Sequence, residues 1–134
     1  MHDEIKQIAE LNLFAGWCGF LAGVLSGAAM GLFFHREEWL GGYGSYRRRM
    51  VRLGHISFFG LGFLNVMFGL TLRGVNLADA RLVFASNGLL LGAITMPACC
   101  FLTAWRKPCR HFFFIPVLST FAGVAGLLMT WRPS

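Results

Sequence analysis

Four long stretches of the chain contain no Asp, Glu, Lys or Arg. They cover residues 11–34, 53–72, 82–105 and 111–131, and each is 20 to 24 residues long. A helix rises about 1.5 Å per residue, so about 20 residues cross the roughly 30 Å of hydrocarbon in a bilayer. The pattern therefore predicts four transmembrane helices, at about residues 11–34, 51–72, 80–105 and 111–131.

The polar links between these stretches are short, at residues 35–52, 73–81 and 106–110. Short links make consecutive helices antiparallel neighbours. The expected fold is therefore an all-α integral membrane protein, with four transmembrane helices in an up-down-up-down bundle that forms a single domain over residues 1–134. The first apolar stretch is too long for a signal-peptide core, so we expect it to be retained as a helix.

Composition agrees with this fold, since 56% of the residues are hydrophobic, 13% are charged and the mean hydropathy is +0.60. The net charge of +6 does not indicate a nucleic-acid partner, because the basic residues flank the apolar stretches. The first and third links hold Arg36, Arg47, Arg48, Arg49, Arg52, Arg106, Lys107 and Arg110, whereas the other side holds Lys6, Arg73, Arg81 and Arg132. Basic residues resist translocation, so both termini are expected outside the cytoplasm, in what we interpret as a bacterial inner membrane.

Glycines in the first apolar stretch recur every four residues, at Gly19, Gly23, Gly27 and Gly31, and the next step of the series is His35. Small residues at this spacing usually form a packing seam for another helix, which is the favoured interpretation. A flat cofactor lying against bare backbone needs the same absence of side chains. The series then leads directly to a histidine.

The second stretch carries an ionisable residue inside its apolar span. His55 shares one helix face with Gly62 and Gly69, because positions seven apart differ by only about 20°. A histidine at this depth is either functional or a neutral imidazole bonded to backbone or to a hydroxyl such as that of Ser57. Asn65 and Asn87 also lie in apolar stretches, and we expect them to hydrogen-bond between helices two and three.

The predicted topology gathers most histidines and cysteines at the cytoplasmic end, where His35, His55, His111, Cys99, Cys100 and Cys109 lie. A metal or haem site requires such a cluster at one depth. The cysteines are interpreted as reduced core residues and a zinc site as the weaker possibility, since the spacing matches no known zinc pattern. No nucleophile-base pair or phosphate loop is present, so catalysis by this chain alone is not expected.

A haem b with two histidine ligands is the sharpest hypothesis for this end of the bundle. His55 and His35 would bind the iron, with His111 as the alternative second ligand. Gly27, Gly31 and Gly62 would leave room for the ring, and Arg48 and Arg52 would pair with the propionates. A quinone headgroup could use the same surface.

These residues predict a small membrane subunit of a respiratory or other electron-transfer complex, carrying or flanking a haem b or quinone site. The alternative is a non-redox structural or assembly subunit that packs through its glycine-rich helix faces. Expected partners are membrane lipid and either other membrane subunits or a second copy of the chain.

Overall fold

The computed structural model describes residues 2–74 and 79–131, and this part of the chain contains helices and no strands. Its α-helices are α1 (His2–Phe33), α2 (Tyr46–Gly74), α3 (Arg81–Trp105) and α4 (Phe114–Thr130), with 3₁₀ turns at Trp39–Gly41 and Lys107–Phe113. Four helical segments are long and apolar enough to cross a membrane, which confirms that part of the prediction. Arg132, which was counted for the orientation, lies outside the described residues.

Helix α1 begins at His2, well before the predicted start near residue 11. Ile5 and Ala9 lie one turn apart and are buried in a cluster with Phe68 and Leu72 of α2. Charged residues occupy the other faces of this segment. The carboxylates of Asp3 and Glu4, in its first turn, interact favourably with the positive end of the helix dipole. The helix is therefore amphipathic at its start, a pattern that a search for uncharged stretches does not detect.

Helix α4 begins at Phe114 rather than near residue 111. The preceding residues Lys107–Phe113 form a 3₁₀ turn with Pro108 at its start, where the missing N–H of proline costs no hydrogen bond. The 3₁₀ turn and α4 together still form one apolar span, Lys107–Thr130.

The helices pack in the order in which they occur in the chain. Helix α1 packs mainly on α2, α2 on α3, and α3 on α4, and the described parts of α1 and α4 have almost no contact. Contacts along α1 and α2 run in opposite order, with Leu13 against Gly69, Gly16 against Gly62, and Gly27 against His55. The N-terminal part of α1 therefore lies beside the C-terminal part of α2.

The interior holds several polar side chains beside its apolar clusters, whereas the surface is largely apolar. The side chains of Arg48, Asn12, Asn65, Ser86 and Thr103 are almost completely buried. Among the exposed apolar side chains of the described residues, five are at least 70% exposed, namely Phe14, Leu32, Ile94, Phe121 and Met129. Hydrocarbon solvates such a surface better than water does.

Buried amides connect three of the helices. Asn12 Nδ2 of α1 donates to Ser86 Oγ of α3, and Asn65 Nδ2 of α2 donates to Leu89 O of α3 over 3.4 Å. The expected bond from Asn65 to helix three is therefore present, whereas Asn87 is exposed. Such bonds between apolar helices typically contribute about 0.6 kcal/mol each.

Candidate functional site

The α1–α2 seam is closed in the half that lies away from the Arg-rich links. A Cβ atom on Gly16 would lie 2.6 Å from Gly62 O, and one on Gly19 would lie 3.1 Å from Phe58 O. The two backbones therefore touch, and the packing-seam interpretation of the glycine series is confirmed here. Gly62 is buried in this contact, so the structure places it against α1 rather than beside His55.

Toward the Arg-rich links the seam opens into a groove with a volume of about 360 Å³. We call it the α1–α2 groove. Helix α1 contributes Gly27, Met30 and Gly31 to it, the turn after α1 contributes Phe34, and α2 contributes Arg52, His55 and Ile56. Four residues that the sequence grouped around a cofactor, His55, Gly27, Gly31 and Arg52, thus line one groove.

The imidazole of His55 is half-buried and packs against the backbone of Gly27. A Cβ atom at Gly27 would lie 2.8 Å from His55 Cε1, so this glycine makes room for the histidine itself. Phe59 meets the imidazole edge to face, with ring centroids 5.4 Å apart. His55 Nδ1 lies 2.9 Å from Ser26 Oγ, whereas Ser57 bonds its own helix at Gly54 O.

Three features leave the α1–α2 groove able to accept a ligand. A Cβ atom on Gly31 would meet no described atom within 4 Å, so bare helix backbone faces open space. His55 Nε2 has no hydrogen-bond partner in the part of the chain that the structure describes. Arg52 is exposed and supplies the one cationic side chain that lines the groove.

Arg48 was expected beside a cofactor, and the structure gives it a different environment. Its side chain is completely buried, with the guanidinium carbon 3.8 Å from the ring centre of Tyr43, 4.7 Å from Phe34 and 5.4 Å from Trp39. The guanidinium also donates to Phe34 O and Glu37 O, each over 3.4 Å. It therefore supplies positive charge and hydrogen bonds to one carbonyl directly after α1 and to another in the first link.

The neighbouring arginine has the matching role on the other side of α2. Arg47 Nε donates to Ala104 O over 3.1 Å, in the last turn of α3. Two consecutive arginines at the start of α2 thus satisfy the C-terminal ends of both flanking helices. Arg49 and Arg52 remain exposed.

The other predicted histidine ligands lie elsewhere. His35 is exposed in the turn that follows α1, and His111 is exposed in the 3₁₀ turn before α4. Neither residue lines the α1–α2 groove. Within residues 2–74 and 79–131, no three His, Cys, Asp or Glu side chains gather as a metal ion would require.

The cysteines at this end are distributed between two helix interfaces. Cys99 and Cys109 line a small apolar cavity of about 310 Å³ beside Phe112. Cys100 lies at the interface of α3 with α2. A Cβ atom on Gly54 of α2 would be 3.2 Å from the Cβ atom of Cys100. All of the described cysteines are free thiols.

A larger apolar groove, with a volume of about 680 Å³, runs between α1 and α3. Phe58 and Gly62 of α2 are among its lining residues, and small residues such as Ala15 and Ala93 also line it. Its lining carries no charged side chain. Sequence patterns did not predict this groove, because helices one and three are not consecutive.

Comparison with protein-family models, with curated proteins and with solved structures finds no match to this chain. Of the residues in or beside the α1–α2 groove, sequence reasoning missed Ser26, Met30 and Ile56. Ser26 had a weak signal, because it directly precedes Gly27 and is a polar residue deep in an apolar stretch. Met30 and Ile56 resemble any other apolar residue of a membrane helix.

Proposed function

We propose that the chain is a small integral membrane subunit of an electron-transfer complex, and that its α1–α2 groove binds the headgroup of a membrane quinone. One observation carries the proposal: an imidazole with an unoccupied Nε2 and an exposed arginine share a groove whose wall is bare helix backbone. The electron donor or acceptor would belong to a partner subunit.

A quinone suits this groove chemically. Its headgroup is a flat ring with oxygen atoms on opposite edges, so it needs a smooth apolar wall and a few polar side chains. Ligand pockets of about 300–1,000 Å³ with mostly apolar walls and a few polar groups are typical for small molecules. The bare backbone at Gly31 offers the wall, while His55 and Arg52 offer the polar contacts. An ionisable side chain in an apolar span is itself a mark of function.

Haem b is the second form of the same proposal, favoured by the open backbone at Gly31 and by the accessible nitrogen of His55. The α1–α2 groove supplies one imidazole, so a six-coordinate iron would need another ligand. His35, His111 or a partner subunit would have to provide it. A quinone has no such requirement, and for this reason we place it first.

The test uses the purified full-length chain in lipid nanodiscs, titrated with decylubiquinone and followed by the change in intrinsic fluorescence. We expect saturable binding that His55→Gln or Arg52→Gln weakens on the order of tenfold, since each removes a polar contact. Arg49→Gln is the matched control, because Arg49 is exposed in the same arginine run but does not line the groove.

A reduced-minus-oxidised spectrum of the same preparation separates the two ligands. A b-type α band that disappears in His55→Ala would show that the ligand is haem b rather than a quinone. A colourless protein that binds neither decylubiquinone nor its reduced form, decylubiquinol, would contradict both forms and leave the assembly function described below.

We also propose that the four helices cross a bacterial inner membrane in alternating directions, with both termini outside the cytoplasm. The excess of basic residues in the first and third links supports this orientation. In a cysteine-free background, Gly44→Cys should resist an impermeant thiol reagent on intact cells, since Gly44 lies exposed in the first link. Asp3→Cys should react, and strong external labelling at position 44 would invert the topology.

The alternative function is that of a structural or assembly subunit. It is favoured by the outer face of α4, where Val117, Leu118 and Phe121 are more than half exposed, and by the 680 Å³ groove between α1 and α3. Partner helices, a second copy of the chain or lipid would cover these surfaces. Retention of complex assembly in His55→Gln, together with a lack of any ligand, would favour this alternative.

A further inference from the structure

The hydroxyl of Ser26 lies between two groups that compete for its single proton. Ser26 Oγ is 3.0 Å from Gly23 O, one turn earlier in α1, and 2.9 Å from His55 Nδ1 of α2. A carbonyl oxygen can only accept, whereas a ring nitrogen donates or accepts according to the tautomer. The position of one proton therefore decides the chemistry of the whole imidazole.

Counting hydrogen bonds distinguishes the two arrangements. If the Ser26 hydroxyl donates to Gly23 O, His55 Nδ1–H can donate to Ser26 Oγ, and two bonds form. If the hydroxyl donates to Nδ1, only one bond forms and the proton moves to Nε2. That N–H would then have no acceptor among the described residues. In an apolar span an unmade hydrogen bond is expensive, so the first arrangement is favoured.

We propose that Ser26 is a positioning residue that holds neutral His55 with its proton on Nδ1, so that Nε2 presents a lone pair to the α1–α2 groove. A lone pair selects a ligand that brings its own O–H. The ligand is therefore the reduced, hydroxyl-bearing quinol rather than the oxidised quinone, whose carbonyl oxygens cannot donate. The identity of the ligand rests on the proposed quinone function, whereas the tautomer does not.

The shape of the site supports the same assignment. The imidazole cannot turn freely, because Gly27 lies under Cε1 and Phe59 packs against the ring. A fixed ring keeps Nε2 in one direction, as the second hydrogen bond of a ligand-binding histidine commonly does. Arg52 can only donate, so it would face an oxygen lone pair of the same ligand.

Solid-state NMR of the full-length chain with ¹⁵N-labelled histidine tests the tautomer without any ligand. The spectrum is recorded in lipid at alkaline pH, where imidazoles are neutral, and the His55 signals are those lost in His55→Gln. We expect a protonated Nδ1 and an unprotonated Nε2. Ser26→Ala should give a mixture of tautomers, and Ser26→Thr should restore the wild-type signals.

Ser57→Ala is the matched control, because Ser57 makes the same type of bond to its own helix, over 2.7 Å to Gly54 O, without contacting a histidine. It should leave the His55 signals unchanged. A protonated Nε2 in the wild type would overturn the proposal. An unaltered tautomer in a folded Ser26→Ala would overturn the role of Ser26.

Binding measurements test the ligand separately, with decylubiquinol under anaerobic reducing conditions and decylubiquinone under air. We expect the quinol to bind on the order of tenfold more tightly, and Ser26→Ala to reduce that preference. Equal affinities, or tighter binding of the quinone, would overturn the quinol assignment while leaving quinone binding intact. Binding of neither probe would overturn the proposed function and the quinol assignment together, and the NMR result would still decide the tautomer.

Discussion

The two halves of the α1–α2 seam use the same glycine spacing for different purposes. At Gly19 the backbones of the two helices are in close contact, since a Cβ atom there would lie 3.1 Å from Phe58 O and 3.2 Å from Gly62 Cα. At Gly27 a histidine side chain fills the space that the glycine leaves, and at Gly31 the space is open. One periodic series of glycines therefore changes from helix packing to side-chain packing to an open wall along α1.

The partner helix causes this difference. Helix α2 presents Gly62 to the closed half of the seam, so the helices can approach until their backbones touch. At the other end it presents His55, whose side chain occupies the space beside Gly27. A small-residue stripe on one helix thus shows where a close approach is allowed, and the facing residues determine whether it occurs.

The largest expected effect is in the closed half. Gly62→Leu should destabilise the protein by about 1–3 kcal/mol or more, because even a Cβ atom there would lie 2.9 Å from Gly16 O. Thermal unfolding in detergent followed by circular dichroism would measure the loss. Gly60→Leu is the control on the same helix, since Gly60 is exposed and its Cβ would meet nothing within 4 Å. Equal melting temperatures for the two variants would show that the seam is not closed.

An intermediate effect is expected at the support of the open half. Arg48→Lys keeps the charge but loses the planar guanidinium that stacks on aromatic rings and reaches two carbonyls. We expect a loss of about 1–2 kcal/mol and faster proteolysis in the first link, where Phe34 and Tyr43 lose their partner. Arg49→Lys, at an exposed position, should change neither quantity. A wild-type unfolding curve for Arg48→Lys would mean that any buried cation stabilises this end of the bundle equally well, without the planar guanidinium.

The smallest effect on stability is expected at the open wall. Gly31→Leu should leave the free energy of unfolding within about 1 kcal/mol of the wild type, since the new side chain meets open space and leucine favours helix more than glycine does. The same substitution should abolish decylubiquinol binding by filling the α1–α2 groove. Destabilisation as large as that of Gly62→Leu would show that Gly31 is packed against another surface.

Much of the fold could be predicted because it depends on a one-dimensional property. Uncharged stretches of 20 to 24 residues identified all four helices. The predicted topology also placed His55 and Arg52 of the second helix at the same end of the bundle as Gly27 and Gly31 of the first. The amphipathic start of α1 was missed because Ile5 and Ala9 lie among charged residues, so no uncharged stretch includes them.

The local roles of single polar residues could not be predicted. Arg47, Arg48 and Arg49 are three consecutive residues of one type, yet Arg47 bonds the end of α3, Arg48 is buried among aromatic rings, and Arg49 is exposed with no side-chain hydrogen bond to the described residues. Their different environments arise from the 100° rotation per residue of α2 combined with the positions of its neighbours. Similarly, His35 continues the four-residue spacing of the glycines in the sequence. Helix α1 ends at Phe33, however, so His35 does not lie on the same helix face.

The paired arginines at the start of α2 also imply an order of biogenesis. Arg48 donates to Phe34 O, which lies 14 positions earlier in the chain. Arg47 donates to Ala104 O, which lies 57 positions later. The first contact can form while the chain is still being synthesised, as soon as α2 has made its first turn. The second must wait for all of α3. We therefore expect the end of α1, the first link and the start of α2 to mature as one early unit in the translocon, and α3 to be secured to it afterwards.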